Sequence, residues 1–160
     1  MKVGIVMGSQ SDYSVVERTE QILKEFKVDY ETRIISAHRT PLAAMEFAQG
    51  AEKNGIDVII AAAGKAAALP GVLAAFTVVP VIGLPIKSST MDGLDSLLSM
   101  VQMPKGVPVA TVAIDGAENA GLLALQILGV KSMELRDKMR EYKDKLVKEV
   151  EKADMEIQNR

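Results

Sequence analysis

Apolar and polar positions along this 160-residue chain follow two alternating periods. Short apolar runs rich in β-branched residues predict strands, and stretches with apolar residues three or four positions apart predict helices. The predicted strands are 2–7, 30–35, 58–63, 79–84 and 109–114. The predicted helices are 12–26, 41–48, 69–76, 93–101, 117–128 and a long, charged and amphipathic one at about 132–157.

Strands that alternate with helices indicate a parallel sheet, and we interpret each strand as apolar throughout, which is typical of a sheet covered on both faces. The sequence therefore predicts a three-layer, doubly wound α/β fold of the flavodoxin-like or Rossmann-like kind. We expect residues 1–160 to form a single domain with a long C-terminal helix. In such sheets ligands bind beyond the carboxyl ends of the strands, so the loops that follow the strands carry the candidate chemistry.

Composition narrows the class of protein. Hydrophobic residues make up 48% and charged residues 25%, as in folded soluble proteins. A net charge of −2 provides no large positive field, so we expect no nucleic-acid partner. The sequence shows neither a leader pattern nor an apolar run long enough to span a bilayer, and we expect a cytoplasmic protein with no membrane partner. With no cysteine and one histidine, we expect no metal site and no cofactor.

The loop after the first strand reads GSQSD, from Gly8 to Asp12. Small hydroxyl residues that enter a helix, here Ser9 and Ser11, leave backbone N–H groups free at the positive end of the helix dipole, which suits a phosphate. Asp12 either caps the helix or binds a ribose hydroxyl. A plain helix cap explains this loop as well as a ligand does. The Walker and GxGxxG fingerprints are both absent.

The loop after the second strand reads SAHRTP, from Ser36 to Pro41. It places His38, the only histidine, beside Arg39, whose guanidinium suits bidentate contact with a phosphate. A lone histidine is more often structural or surface-exposed. Here its position at a strand end, together with the general ability of an imidazole to gain and lose a proton near neutral pH, favours a role in proton transfer.

The stretch from Ala61 to Gly71 consists mainly of small residues. Small side chains let a backbone approach a ligand closely and form a narrow, dry cavity, although a tightly packed turn explains them equally well. Gly64, Lys65 and Leu69 are candidate binding residues here, and Lys65 is either a surface lysine or an anion ligand. The later polar groups, at 87–90, 102–106 and Asn119, are each either ligand contacts or ordinary loop and cap residues.

Taken in order, five segments resemble the N5-carboxyaminoimidazole ribonucleotide mutases of purine biosynthesis. They are GSQSD (8–12), SAHRTP (36–41), AAGKAAALPG (62–71), DGLDSLLSMVQMPKGVPVATVAI (92–114) and Asn119. The resemblance covers the chain from the first strand to about Leu128. It implies a substrate with an aminoimidazole ring, a ribose and a 5′-phosphate, bound through Ser9, Asp12 and Arg39. It further implies proton transfer by His38, no metal or redox cofactor, and a homo-octamer.

One segment departs from the family pattern. Bacterial mutases commonly read GGAAHLPG where this chain reads GKAAALPG, so that Ala68 stands for the family's second histidine and Lys65 for a glycine. We hypothesise that Lys65 replaces the missing polar contact as a cationic partner for the substrate carboxylate. The departure also keeps open a related activity, in which carbon dioxide carboxylates aminoimidazole ribonucleotide directly. The SAHRTP and QMPKG segments favour the mutase.

Doubly wound sheets occur in proteins with many different functions, so the fold alone does not determine the activity. A non-catalytic nucleotide-binding or receiver-type module is one alternative, but a receiver needs an acidic residue after the third strand, where this chain has Ala63 and Gly64. An electron carrier is another, but aromatic residues make up only 4% and tryptophan is absent. The C-terminal helix packs on its own domain or on a neighbouring subunit, and the resemblance favours the second.

Overall fold

A computed structural model describes residues 1–159 of the protein. The strands are β1 (Lys2–Met7), β2 (Asp29–Ile34), β3 (Val58–Gly64), β4 (Val81–Ile86) and β5 (Ala110–Thr111). They pair in parallel in the order β2-β1-β3-β4-β5. The chain therefore starts inside the sheet with β1 and adds β2 on one side of it. It then adds β3, β4 and β5 in turn on the other side, so the strand order reverses between β1 and β3. In sheets of this order the reversal opens a crevice beyond the strand ends.

Within residues 1–159, six α-helices connect and cover the strands. They are α1 (Tyr13–Glu25), α2 (Pro41–Gly50), α3 (Leu69–Phe76), α4 (Leu94–Val101), α5 (Ala117–Gly129) and α6 (Met133–Gln158). Short 3₁₀ turns at Gln10–Asp12 and Met91–Gly93 lead into α1 and α4. Pro41 begins α2 because a missing N–H is tolerated in the first turn. Ser132 begins α6 by accepting a hydrogen bond from the Leu135 N–H over 3.3 Å.

Two hydrophobic cores lie on opposite faces of the sheet. Neighbouring residues of β1 illustrate the alternation, since Ile5 packs with α1, α5 and α6, whereas Val6 packs with α2, α3 and α4. Both side chains are fully buried. The predicted three-layer, doubly wound α/β fold is confirmed.

The predicted bounds of β4 and β5 differ from the structure near Pro85. β4 begins and ends two residues later than predicted, at Val81–Ile86, and so continues through Pro85. The carbonyl oxygens of Gly83 and Pro85 accept hydrogen bonds from Val112 and Asp115, so these residues face β5. Pro85 has no N–H to donate on that side. The ladder to β3 is therefore unaffected, while regular pairing with β5 stops after two residues instead of the predicted six.

The expectation that every strand is apolar was wrong for β2. This strand lies at the edge of the sheet, and Asp29, Arg33 and Ile34 are exposed. One edge of β2 pairs with β1, in register from Lys2 with Asp29 to Met7 with Ile34, and the other edge has no neighbouring strand among the described residues. An edge strand tolerates charged residues because solvent reaches it.

The long helix α6 is anchored to the rest of the chain at one end only. Leu135 and Met139 are buried, and the ring of Tyr142 lies 5.7 Å from that of Phe26. Beyond this point the apolar side chains are exposed: Leu146, Val147, Val150, Met155 and Ile157. Within residues 1–159, no helix combines the length and the apolar character needed to cross a membrane.

Candidate active site

A cleft of about 710 Å³ opens beyond the carboxyl ends of the first four strands. Its size suits a small-molecule ligand, since such sites span roughly 300–1,000 Å³. The cleft lies where the strand order reverses between β1 and β3. It brings together all nine candidate residues from the sequence: Ser9, Ser11, Asp12, Ser36, His38, Arg39, Gly64, Lys65 and Leu69. Their roles in binding and catalysis stay predictions.

The loop after β1 forms a tight turn around Ser9. The Ser9 hydroxyl oxygen accepts a hydrogen bond from the Ser11 N–H over 3.3 Å, and the Ser11 hydroxyl lies 3.0 Å from it. The Ser9 carbonyl accepts from the Asp12 N–H over 3.1 Å. Ser9 is therefore a cap of the 3₁₀ turn as well as a cleft residue.

Asp12 is buried at the floor of this loop, with 8% of its surface exposed. It precedes α1, but its side chain makes no capping hydrogen bond, so capping does not explain it. Instead one carboxylate oxygen lies 3.2 Å from the Ser11 hydroxyl. Burial raises the pKa of the Asp12 carboxyl, and the Ser11 hydroxyl, the Ser9 backbone and the charge of Arg39 each offset part of that rise.

The loop after β2 is closed by Thr40. The Thr40 N–H donates to the Ser36 carbonyl over 2.8 Å, and the Thr40 hydroxyl accepts from the Ser36 N–H over 2.9 Å. Within this frame Arg39 donates from Nε to the Ser36 hydroxyl over 3.3 Å and from Nη2 to the Gly8 carbonyl over 2.8 Å. His38 is exposed and lines the cleft from the same frame. The frame thus places the His38 imidazole beside the Arg39 guanidinium, which makes two side-chain hydrogen bonds within the protein.

The turn after β3 provides the small, apolar part of the cleft. Its carbonyls at Lys65 and Ala66 accept hydrogen bonds from the N–H groups of Ala67 and Ala68, each over 2.8 Å. Lys65 itself has a left-handed backbone, with a φ of 55°. Leu69 begins α3 and is 2% exposed, so its side chain belongs mainly to the core between the sheet and α2.

The loop after β4 also lines the cleft, through Lys87, Ser88 and Ser89. From the sequence, these residues could be either ligand contacts or ordinary loop residues. Their position directly after a parallel strand was the signal that they line the cleft. Lys87 forms an ion pair with Asp92 over 3.3 Å, and its N–H donates to the Asp115 carboxylate over 2.9 Å. Residues 102–106 do not line the cleft, and Asn119 lies on a separate groove between α5 and α6.

Comparison with known proteins defines the family. The family model for AIR carboxylase matches residues 2–149. A protein of Pyrococcus abyssi named N5-carboxyaminoimidazole ribonucleotide mutase is 60% identical over 143 residues, which cover 89% of this chain and 82% of the relative. The chain belongs to the AIR carboxylase family. A Thermotoga maritima member with the same mutase name is 58% identical over 153 residues, which cover 95% of this chain and 90% of that member.

The fold agrees with solved structures of the family. The crystal structure of Treponema denticola PurE superposes with a TM-score of 0.86 and 30% identity, and the match covers 97% of each chain. The resemblance inferred from the five sequence segments is thus confirmed at the level of family and fold. As for metals, no group of three or more His, Asp or Glu side chains in the described part of this family member is placed to hold an ion.

Proposed function

We propose that this protein is the mutase that converts N5-carboxyaminoimidazole ribonucleotide to 4-carboxyaminoimidazole ribonucleotide in purine biosynthesis. One observation carries the proposal: a single cleft at the reversal of the sheet joins His38 to the polar set Ser9, Asp12 and Arg39. Relatives that are 58–60% identical carry the name of this activity. These residues suit a ribonucleotide with a heterocyclic base. Ser9 and Arg39 can bind a phosphate, Asp12 can accept a hydrogen bond from a ribose hydroxyl, and His38 can donate a proton to the heterocycle.

The phosphate and ribose bind at the end of the cleft formed by the loops after β1 and β2. Arg39 supplies a cation with N–H groups beyond the two that it uses within the protein. Ser9 and the start of the following helix supply neutral donors. Asp12 accepts a hydrogen bond from a ribose hydroxyl, for which its burial beside Ser11 prepares it. We also assign Ser11 and Ser36 to substrate binding at this end of the cleft, which both residues line.

His38 performs both proton transfers of the reaction. Its imidazolium donates a proton to the exocyclic nitrogen, whose bond to the carboxylate carbon breaks, and carbon dioxide is released within the cleft. The electron-rich ring carbon beside it then forms a bond to that carbon dioxide. The neutral imidazole removes the hydrogen of this ring carbon as a proton, which restores the aromatic ring and the imidazolium. Since atoms and electrons balance, we propose no metal or redox cofactor.

The turn after β3 retains the carbon dioxide between the two steps. Apart from Lys65, the cleft at this turn is lined by Ala63, Gly64 and 66–68, which offer no side-chain hydroxyl, amine or carboxylate. A small apolar wall keeps the gas next to the ring carbon and limits access of water, which would divert the carbanion-like carbon to protonation. Positioning then supplies much of the acceleration, in addition to the proton transfers.

We further propose that the protein acts as a cytoplasmic homo-octamer. The exposed apolar side chains of α6, notably Leu146 and Val150, support contact with another copy. They repeat at helical spacing beyond the part of α6 that packs on its own chain. The proposed partners are thus the ribonucleotide and further copies of this chain, with no nucleic acid and no membrane.

The direct test supplies purified protein with N5-carboxyaminoimidazole ribonucleotide, without ATP or added metal, and follows the ring-carboxylated product. A parallel reaction supplies aminoimidazole ribonucleotide with bicarbonate, and reactions without protein give the uncatalysed rates. We expect turnover of the carboxyamino substrate. Exclusive use of the second mixture would instead establish the carbon-dioxide-dependent carboxylase, an activity that the description of the family also names. Binding without turnover of either would indicate a non-catalytic nucleotide-binding module.

A further inference from the structure

Lys65 occupies an unusual backbone conformation within the cleft. Its φ of 55° lies in the left-handed region, which side chains with a Cβ adopt only at a steric cost. Five non-glycine residues of 1–159 share this region, and Lys65 is the one among them that lines the cleft. Glycine adopts the same conformation without that cost. A strained residue at a ligand cleft therefore points to a use for its side chain.

Lys65 is also the cleft cation without a partner in the described residues. Arg39 is held by Gly8 and Ser36, and Lys87 is paired with Asp92. The Lys65 side chain is exposed and takes part in none of the ion pairs formed within residues 1–159. Its charge is consequently available to an anion that enters the cleft.

The strand order separates Lys65 from the phosphate end. The loops after β2 and β1 are joined by Arg39 and form that end, and the turn after β3 comes next along the sheet. A carboxylated ribonucleotide carries two anions, its phosphate and its carboxylate. With the phosphate held by the first two loops, the carboxylate is the anion left for the third.

We propose that Lys65 binds the carboxylate of the ligand and makes the cleft prefer carboxylated over uncarboxylated ribonucleotides. This inference rests on the proposed function for the identity of the ligand. The cation attracts the carboxylate before it leaves the nitrogen and again after it joins the ring carbon. The strained backbone at Lys65 is then explained by the use of its side chain. Replacement of Lys65 by glycine removes the strain and the cation together, so it should stabilise the fold and weaken binding of the carboxylated ligand.

The test compares Lys65→Gly, Lys65→Arg and a matched control, Lys27→Gly. Lys27 is the other left-handed lysine, with a φ of 58°, and it lies outside the cleft. Dissociation constants are measured by calorimetry for two probes, 4-carboxyaminoimidazole ribonucleotide and aminoimidazole ribonucleotide, together with the melting temperature of each variant.

We expect Lys65→Gly to raise the melting temperature and to weaken binding of the carboxylated probe by about 10-fold or more, the size of a lost charged hydrogen bond. Its affinity for the uncarboxylated probe should stay unchanged. Lys65→Arg should keep most of the discrimination, and Lys27→Gly should raise the melting temperature without changing either affinity. Equal weakening for both probes would overturn the proposal, as would no weakening for either. The dissociation constants for the two probes are measured without turnover. They therefore test the role of Lys65 separately from the mutase assay, and failure of one is distinguishable from failure of the other.

Discussion

The guanidinium of Arg39 donates a hydrogen bond from Nη2 to the backbone carbonyl of Gly8, over 2.8 Å. The same side chain donates from Nε to the Ser36 hydroxyl. One residue thereby joins the loop after β1 to the loop after β2, 31 positions apart in the chain. The spacing of the proposed phosphate end depends on this planar fork, which the single ammonium group of a lysine cannot reproduce.

Replacement of Arg39 by Lys should therefore impair binding more than turnover. Lysine keeps the charge but cannot donate to Ser36, to Gly8 and to a phosphate in fixed directions. We expect KM to rise about 10- to 100-fold, in line with the loss of one charged hydrogen bond. Steady-state kinetics measure the change. Arg33→Lys, on the exposed face of β2, serves as the control, and a rise of KM in that variant would contradict the explanation.

Replacement of His38 by Asn should abolish most turnover while leaving binding intact. Asparagine keeps a polar side chain of similar shape but cannot carry a proton between nitrogen and carbon. We expect kcat to fall by about 10² to 10⁴, the contribution typical of general acid–base catalysis. Calorimetry with the product should show unchanged affinity. Full activity in this variant would remove His38 from the reaction.

Asp12 should make the stability of the protein depend on pH in a specific direction. Burial raises the pKa of this carboxyl, so the folded state holds its proton more tightly than the unfolded state. Its contribution to stability is fully present below the ordinary pKa and is lost as the pH rises through the raised one.

Asp12→Asn should accordingly be more stable than the unaltered protein at neutral pH, and the difference should shrink in acid. The melting temperatures of both proteins across the pH range measure this effect. Asp144→Asn, on the exposed face of α6, should show no such trend. A difference that stays constant with pH would mean that the Asp12 carboxyl titrates alike in both states. Substrate binding should weaken in Asp12→Asn because the charged acceptor is lost.

Two glycines with a left-handed backbone allow the cost of backbone strain to be measured apart from the cost of steric crowding. Gly93 and Gly106 have φ values of 93° and 96°. A Cβ at Gly93 would lie 2.8 Å from a methyl of Ile114 and 3.1 Å from Cα of Lys87, whereas one at Gly106 would meet nothing within 4 Å. Gly106→Ala should cost about 1–2 kcal/mol in the free energy of unfolding. Gly93→Ala should cost about 1–3 kcal/mol more, as overpacking does.

Chemical denaturation of both variants measures that difference. Gly93→Ala should also raise KM, because it displaces the Lys87 segment at the rim of the cleft, and Gly106→Ala should not. Equal losses of stability would show that the packing around Ile114 adapts to the extra methyl group.

The proposed contact between copies depends on the distal part of α6. Replacement of both Leu146 and Val150 by Ser should lower the mass measured by light scattering, because these side chains are exposed on a single chain. The anchoring residues Leu135 and Met139 are left in place, so each chain should still fold. Lys148→Ser on the same helix is the control for helix propensity. An unchanged mass in the double variant would count against α6 as an assembly element.

The sequence predicted the fold because local patterns and the sheet topology agree. The bounds of β1 and α3 matched the structure, and the predicted loops after β1, β2 and β3 proved to share one cleft. Parallel strands bring their carboxyl ends to one edge of the sheet, which made this outcome predictable without distances.

Other features depended on contacts between distant segments. The early end of pairing at β5 follows from the direction in which Pro85 faces, which its position in the sequence does not give. The fork of Arg39 and the support of Lys87 by Asp115 join residues 31 and 28 positions apart. The left-handed backbone at Lys65 was also not predicted, although the glycine that the family pattern has at this position was a signal for it.

The two edges of the sheet bear on how the protein behaves at high concentration. Exposed strand edges invite pairing with other chains and can start aggregation. Here β2 carries Asp29, Glu31 and Arg33 along one edge, and β5 offers only two paired residues along the other. Neither edge gives an incoming strand a long, uncharged template. Copies of this chain are therefore expected to meet through their helices, and the sheet itself should resist growth into fibres.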